Sequence, residues 1–263
     1  MGLGINVAVR TMKDNLRLTV IISLIFVLLA AVYPAMWPSF KDYMDELMES
    51  TPYMPIRGFQ SFATYPGFLN GEFYQIFWIL ILGLLFGYIA GSSVSKEIEG
   101  KTMDMLLSNP LPRYRLVIEK FIGLVPMILV VVFGAMAAIY VVTPAIGEEI
   151  DLVNLGLTHI MSIPYFLSVV AIGILVSVII DRKMQASVVT MAVVTGAFIL
   201  ESISILSPDY EDLGLVSLVH YYDPVDTLIE GTADITGGLI LLGVTLVSML
   251  LAMWYFGRRD IKI

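Results

Sequence analysis

Cysteine is absent from the 263-residue chain, which rules out disulfide frameworks and cysteine-ligated zinc or iron–sulfur sites. Histidine is nearly as scarce. His159 and His220 are the only two, too few for a histidine-rich metal site, and a lone histidine beside a membrane surface reads first as an interfacial residue. Charge is thin as well: Asp, Glu, Lys and Arg make up 14% of the residues, against about 25% in soluble domains. Charge is scarcest inside the apolar blocks, where only Glu201 and His159 come near the hydrocarbon. Secondary transporters and proton pumps keep ionisable partners within their helices to move ions. Intramembrane proteases need a Ser/His pair, two aspartates or an HExxH helix. No such set stands in these blocks, so no catalytic residue, cofactor-binding residue or metal ligand is expected on this chain.

Apolar residues fill the space that charge leaves, at 58% of the chain with a mean hydropathy of +0.86. They gather in blocks of about 17 to 24, and about 20 helical residues cross a hydrocarbon core. A membrane β-barrel would show shorter alternating segments instead. The expected fold is therefore an all-α membrane protein, a single transmembrane domain over residues 1–263. Its six spans fall near 18–36, 75–94, 121–143, 157–180, 184–203 and 236–256. The first block is too long for a signal-peptide core and lacks a cleavage site, so the N-terminus is expected to stay in place.

Orientation follows from the basic residues. With the N-terminus in the cytoplasm, the inner segments hold Arg10, Lys13, Arg17, Lys96, Lys101, Arg113, Arg115, Lys120, Arg182, Lys183, Arg258, Arg259 and Lys262, leaving only Lys41 and Arg57 outside. This is the positive-inside pattern, and it puts both termini in the cytoplasm. Acidic residues concentrate on the other side, giving a solvated outer face.

Several segments between the spans are amphipathic. Ile5, Val9, Met12 and Leu16 make an apolar stripe before the first span, with Arg10, Lys13 and Arg17 off it, the pattern of a surface helix. In the outer loop over 37–74, Phe40, Tyr43, Met44, Leu47 and Met48 repeat that spacing. Over 204–235, Ser207-Pro208 and Asp223-Pro224 each place a capping residue before a proline, predicting two short outer helices. Leu213 to Val219 is too short to cross and reads as re-entrant or interfacial.

The stretch Ser95 to Thr102 ends like a phosphate-binding P-loop but lacks the first glycine, and Glu97 and Glu99 would repel a nucleotide. Any ATP that drives this protein is expected on another subunit. Within 95–120, Val94, Ile98, Met105 and Leu106 lie near one helical face, with Met103 and Leu107 beside them, and Asn109 to Pro112 ends that helix. A short amphipathic helix at the cytoplasmic surface suits a partner's groove.

Glu97, Glu99, Gly100, Thr102, Leu106, Leu107, Ser108, Pro110, Arg113 and Lys120 together resemble the segment after the second span of type-2 ABC transporter permeases. Here Lys101 stands between the glycine and the threonine, and a second proline follows at Pro112. The resemblance implies a coupling helix that docks an ATPase through Glu97, Ile98, Glu99, Gly100, Thr102, Met105, Leu106, Leu107, Pro110 and Arg113. It also implies two cytoplasmic ABC ATPase subunits per complex, which bind ATP and Mg. A second permease copy or a related permease completes the membrane domain, which sits in lipid in the plasma membrane, and export is the expected direction. No nucleic acid is expected among the partners. On the residues alone, a secondary transporter, a channel or a scaffold subunit stays open. Small residues such as Gly83, Gly91, Gly173, Gly196 and Gly243 are expected to let helices approach closely.

Overall fold

The computed structural model describes residues 7–50, 64–101 and 112–259, most of them helical and joined by short irregular links, with no strand among the described residues. Six helices are long and apolar enough to cross a membrane. The first, α1 (Val7–Ser50), is a single 44-residue helix, about 66 Å long at 1.5 Å per residue. The surface helix, first span and outer helix expected as separate pieces are therefore continuous. Pro34 and Pro38 lie inside α1 without ending it. The aromatic residues beside them explain why: Tyr33 packs on Phe73 and Phe77, Trp37 on Tyr65 and Phe68, and Phe40 on Phe68 at 4.6 Å. These contacts hold the chain in line where the proline rings remove backbone donors.

The N-terminal stripe lies on the open side of α1. Val9, Met12 and Leu16 are exposed, while Val7, Thr11, Asn15, Ile22, Phe26 and Ala30 form the buried face, and α1 packs along the later helix Arg113–Ala145. That face was hidden in the sequence because Thr11 and Asn15 interrupt its apolar character. Asn15 Nδ2 donates to the Thr11 carbonyl at 2.8 Å, so its amide is accommodated within the helix.

The second crossing begins ten residues earlier than hydropathy placed it. It is composite: α2 (Tyr65–Leu69), a π-helical segment (Asn70–Leu82) and α3 (Gly83–Gly91). Thr64 Oγ1 accepts from the Gly67 amide and caps α2, with Pro66 in its first turn. Asn70, Gly71 and Glu72 read as loop residues, but buried Phe68, Leu69, Phe73 and Tyr74 carry the helix through them. After a turn over Ser92–Val94 come a short α4 (Ser95–Glu99), then α5 (Arg113–Ala145), α6 (Leu152–Ile179), α7 (Lys183–Leu206) and, beyond the outer segments, α9 (Ile235–Arg258). Asp151 caps α6 by accepting from the Val153 and Asn154 amides.

The second crossing and α6 form the centre of the bundle, with 56% and 61% of their spanning windows buried, whereas α1 and α7 are each 22% buried. Trp78, Tyr74, Phe73, Phe86, Tyr165 and Phe166 fill that centre. Glycine permits the closest approach: a Cβ on Gly173 of α6 would come within 2.6 Å of the Ala90 Cβ on α3. Gly91 similarly meets the Ala186 carbonyl of α7. Gly196 and Gly243, expected to do the same, face nothing within 4 Å.

In the segment before α9, α8 (Pro224–Leu228) starts as expected, the Asp223 carboxylate accepting from the Val225 amide at 2.8 Å. Ser207 supplies only an extended backbone and no side-chain cap, and Pro208–Val216 winds as a 3-10 helix instead of an α-helix. It lies against α7 without crossing the bundle. A second 3-10 turn, Val219–Tyr221, follows it.

Candidate coupling site

The basic residues assigned to the cytoplasm collect at one end of the bundle, where the turn after α3 is bound to three other helices. Ser177 near the end of α6 is the first anchor: its hydroxyl accepts from the backbone amides of Val94 and Ser95, each at 2.9 Å. Ser95 in turn donates to the Gly91 carbonyl. These bonds satisfy amides at the start of α4 that have no partner within so short a helix.

Glu97 is the second anchor. Its carboxylate accepts from Lys120 Nζ of α5 at 3.1 Å, and both side chains are nearly fully buried, at 8% and 3% exposure. A pair this deep has lost its hydration, so each charge depends on the other. Glu99, two residues on, remains exposed and accepts from the Lys183 amide at 2.8 Å. This places a carboxylate on the first residue of α7, where the helix dipole favours negative charge.

Next to Lys120, Glu119 binds α1. Its carboxylate accepts from the Val7 amide at 2.6 Å and the Ala8 amide at 3.3 Å, while Arg115 Nε donates to its other oxygen at 2.7 Å. Gly123, one turn further along α5, lies so close to α1 that a Cβ there would be 2.7 Å from the Ala8 carbonyl. At the C-terminal end of α9, Arg259 donates to the Val178 carbonyl and the Asp181 carboxylate, and Arg113 donates to the Arg259 carbonyl. Neighbouring residues of α5 thus bind the turn after α3 and the start of α1. A displacement of that turn has a direct bonded route to both helices.

Of the residues expected to form the docking segment, the structure brings Glu97, Ile98, Glu99, Gly100 and Arg113 to this junction. Ile98 is half-buried against the core. Glu97 points into the bundle, toward Lys120. The single amphipathic helix expected from Val94 to Leu107 is interrupted: α4 ends at Glu99 with Gly100 as its cap, and Lys101 turns at φ 52°. The bonds from Glu97 to α5 and from Glu99 to α7 hold the helix in two directions, and the left-handed backbone of Lys101 turns the chain away after it. Thr102, Met105, Leu106, Leu107 and Pro110 lie outside the described residues.

Sequence reasoning recognised Lys120 in the motif but missed Glu119, Ser177 and Arg259. Glutamate beside lysine at the start of a span signals no partner, and Ser177 looks like an ordinary small residue. Ser177 and Arg259 reach partners 78 to 146 residues away, and Glu119 reaches the start of α1 across 112 residues, so no local pattern marks these bonds.

Toward the opposite end, His159 is fully buried, contrary to the interfacial position expected for it. Its Nδ1 donates to the Leu155 carbonyl at 2.9 Å, which leaves Nε2 as an acceptor, and its ring meets Trp78 and Tyr74 edge-on. Tyr222 closes this cluster by donating to the Thr158 carbonyl. Burial holds the Tyr222 hydroxyl well above its ordinary pKa, against the opposing pull of Ser162 and Trp78. It therefore stays a neutral donor. This interior is aromatic and offers hydrogen-bonding groups from neutral side chains. Among the described residues, no group of three or more His, Asp or Glu is placed to hold a metal ion.

No characterised protein matches the sequence closely enough to add to this description. A family described as ABC-2 family transporter protein matches residues 6–261. With six helices able to cross a membrane and a match over nearly its whole length, the chain is a multi-pass membrane protein that belongs to the ABC-2 transporter family.

Proposed function

We propose that this chain is the permease subunit of an ABC exporter in the plasma membrane, working as a dimer with itself or a related permease and binding two cytoplasmic ATPase subunits. ATP and Mg are held by those subunits; this chain hydrolyses nothing. The observation that carries the reading is the bonded junction around Glu97 and Glu99, at the start of the segment assigned to docking, Glu97 to Arg113. Closure of the ATPase pair on ATP would push that segment. Glu97 and Lys120 would carry the push to α5, Glu119 would pass it to α1, and Glu99 would pass it to α7, shifting the membrane domain between two states. The aromatic interior around Trp78 and His159 favours an uncharged or amphipathic cargo over a small ion.

The test is co-expression with the candidate ATPase, followed by co-purification and ATP-driven transport in liposomes. A leucine buried in an interface contributes about 1.5 to 3 kcal/mol, and about 1.4 kcal/mol is a factor of ten in affinity. Leu106→Glu should therefore weaken docking at least about tenfold. Lys101→Asn is the control, because Lys101 is exposed and asparagine tolerates its left-handed backbone. Glu99 is unsuitable for that role, since its carboxylate caps α7. Normal docking and transport by Leu106→Glu would reject the assignment, as would ATP hydrolysis by the purified chain alone.

A further inference from the structure

Between α1 and α5 the helices touch closely at two places and part between them. At one, Gly123 lies under Ala8 and Thr11; at the other, a Cβ on Gly134 would sit 3.1 Å from Val27. The eleven-residue interval between those glycines is three helical turns, and within it opens a groove of about 150 Å³. Its walls are Met12, Leu16 and Thr19 on one side and Pro126, Met127 and Val130 on the other, with Lys13 at the rim. The Thr19 hydroxyl already donates to the Asn15 carbonyl at 3.0 Å, so the walls offer apolar surface and no free polar group. A space of this size accepts an apolar group of roughly six carbons.

Lys13 is exposed, and among the described residues it makes no ion pair. Its neighbour Arg10 pairs with Asp14 at 3.8 Å. An apolar slot whose rim carries an unpaired cation, at the basic end of the bundle, is complementary to a molecule with an alkyl chain and an anionic head. A second copy of the chain fits less well. A two-fold contact through this face would lay Arg10, Lys13 and Arg17 against the same residues of the other copy.

We propose that this groove is a binding site for one anionic phospholipid of the inner leaflet, with part of an acyl chain between Met12, Leu16, Met127 and Val130 and the phosphate on Lys13. The lipid would then brace α1 against α5 next to the Glu119 contact.

The experiment is native mass spectrometry of the full chain released from nanodiscs of equimolar phosphatidylglycerol and phosphatidylcholine. The wild type should retain one phosphatidylglycerol with about fivefold preference, the ratio expected of one basic residue facing an anionic head. Lys13→Gln should abolish the preference. Val130→Trp, at a position 52% exposed, should fill the slot and abolish retention without altering charge. Equal retention of the two lipids by the wild type would overturn the proposal by making the contact ordinary annular lipid. Retention unaffected by Val130→Trp would overturn it by placing the lipid elsewhere, and a lipid-free dimer dissociated by Val130→Trp would give the groove to a second copy.

Discussion

Lys120→Met should be among the most damaging single substitutions at the basic end of the bundle, because of what it leaves behind. Lys120 and Glu97 are 3% and 8% exposed and meet at 3.1 Å. Methionine replaces the lysine stem well enough, but the Glu97 carboxylate then stays buried without the Lys120 ammonium beside it. Removing one member of a buried pair costs about 3 to 5 kcal/mol, whereas replacing both members by apolar residues is neutral or stabilising. Glu97→Leu alone should cost a similar amount, and the double variant Glu97→Leu/Lys120→Met should return close to wild type. The assay is the unfolding free energy from SDS titration in mixed micelles, taken as a double-mutant cycle. A coupling above about 3 kcal/mol is expected, beyond the 0.5 to 3 kcal/mol usual for contacting residues. A single-variant cost under about 1 kcal/mol, or coupling below about 0.5 kcal/mol, would refute the reasoning, because the two charges would then be solvated.

Three further outcomes follow from the geometry. Ser177→Ala removes the acceptor for the Val94 and Ser95 amides; at about 1 to 3 kcal/mol for each buried donor left unpaired, the same titration should show a loss of at least about 1 kcal/mol. Gly173→Ala places a Cβ 2.6 Å from Ala90 and should cost about 1 to 3 kcal/mol through overpacking. Gly243→Ala, with nothing within 4 Å, should stay within about 1 kcal/mol of wild type. For orientation, the cysteine-free background allows single cysteines at Glu149, Thr232 and Arg182, all exposed. An impermeant thiol reagent applied to intact cells should label the first two and spare Arg182; labelling of Arg182 would reverse the assigned sides.

The six crossings were legible in the sequence because the cost of burying a helix in lipid is a local sum. Twenty apolar residues in a row declare a span whatever surrounds them, and basic residues between spans declare a side. The Asp223-Pro224 cap was legible for the same reason, since cap and helix are adjacent. The scarcity of ionisable residues in the spans was legible in the same way. Where pattern and packing disagree, packing decides. Pro34 and Pro38 each remove a backbone donor from the first helix, but the rings of Phe68, Phe73 and Phe77 pack beside them and carry it past both. Asn70 and Gly71 should have been loop, but Tyr74 and Trp78 are buried too deeply for the chain to leave the bundle. The segment after the second crossing was visible as a motif, yet the partners of its polar residues were not. Whether Glu97 faces an ATPase or Lys120, and whether Glu119 is surface charge or the cap of α1, depends on the rotation and register of helices far apart in the chain. Hydropathy is blind to both, because it counts what a segment buries and not what it is buried against. The groove beside Lys13 belongs to the same class: its floor and walls are ordinary lipid-facing residues, and only the spacing of α1 from α5 makes them a site.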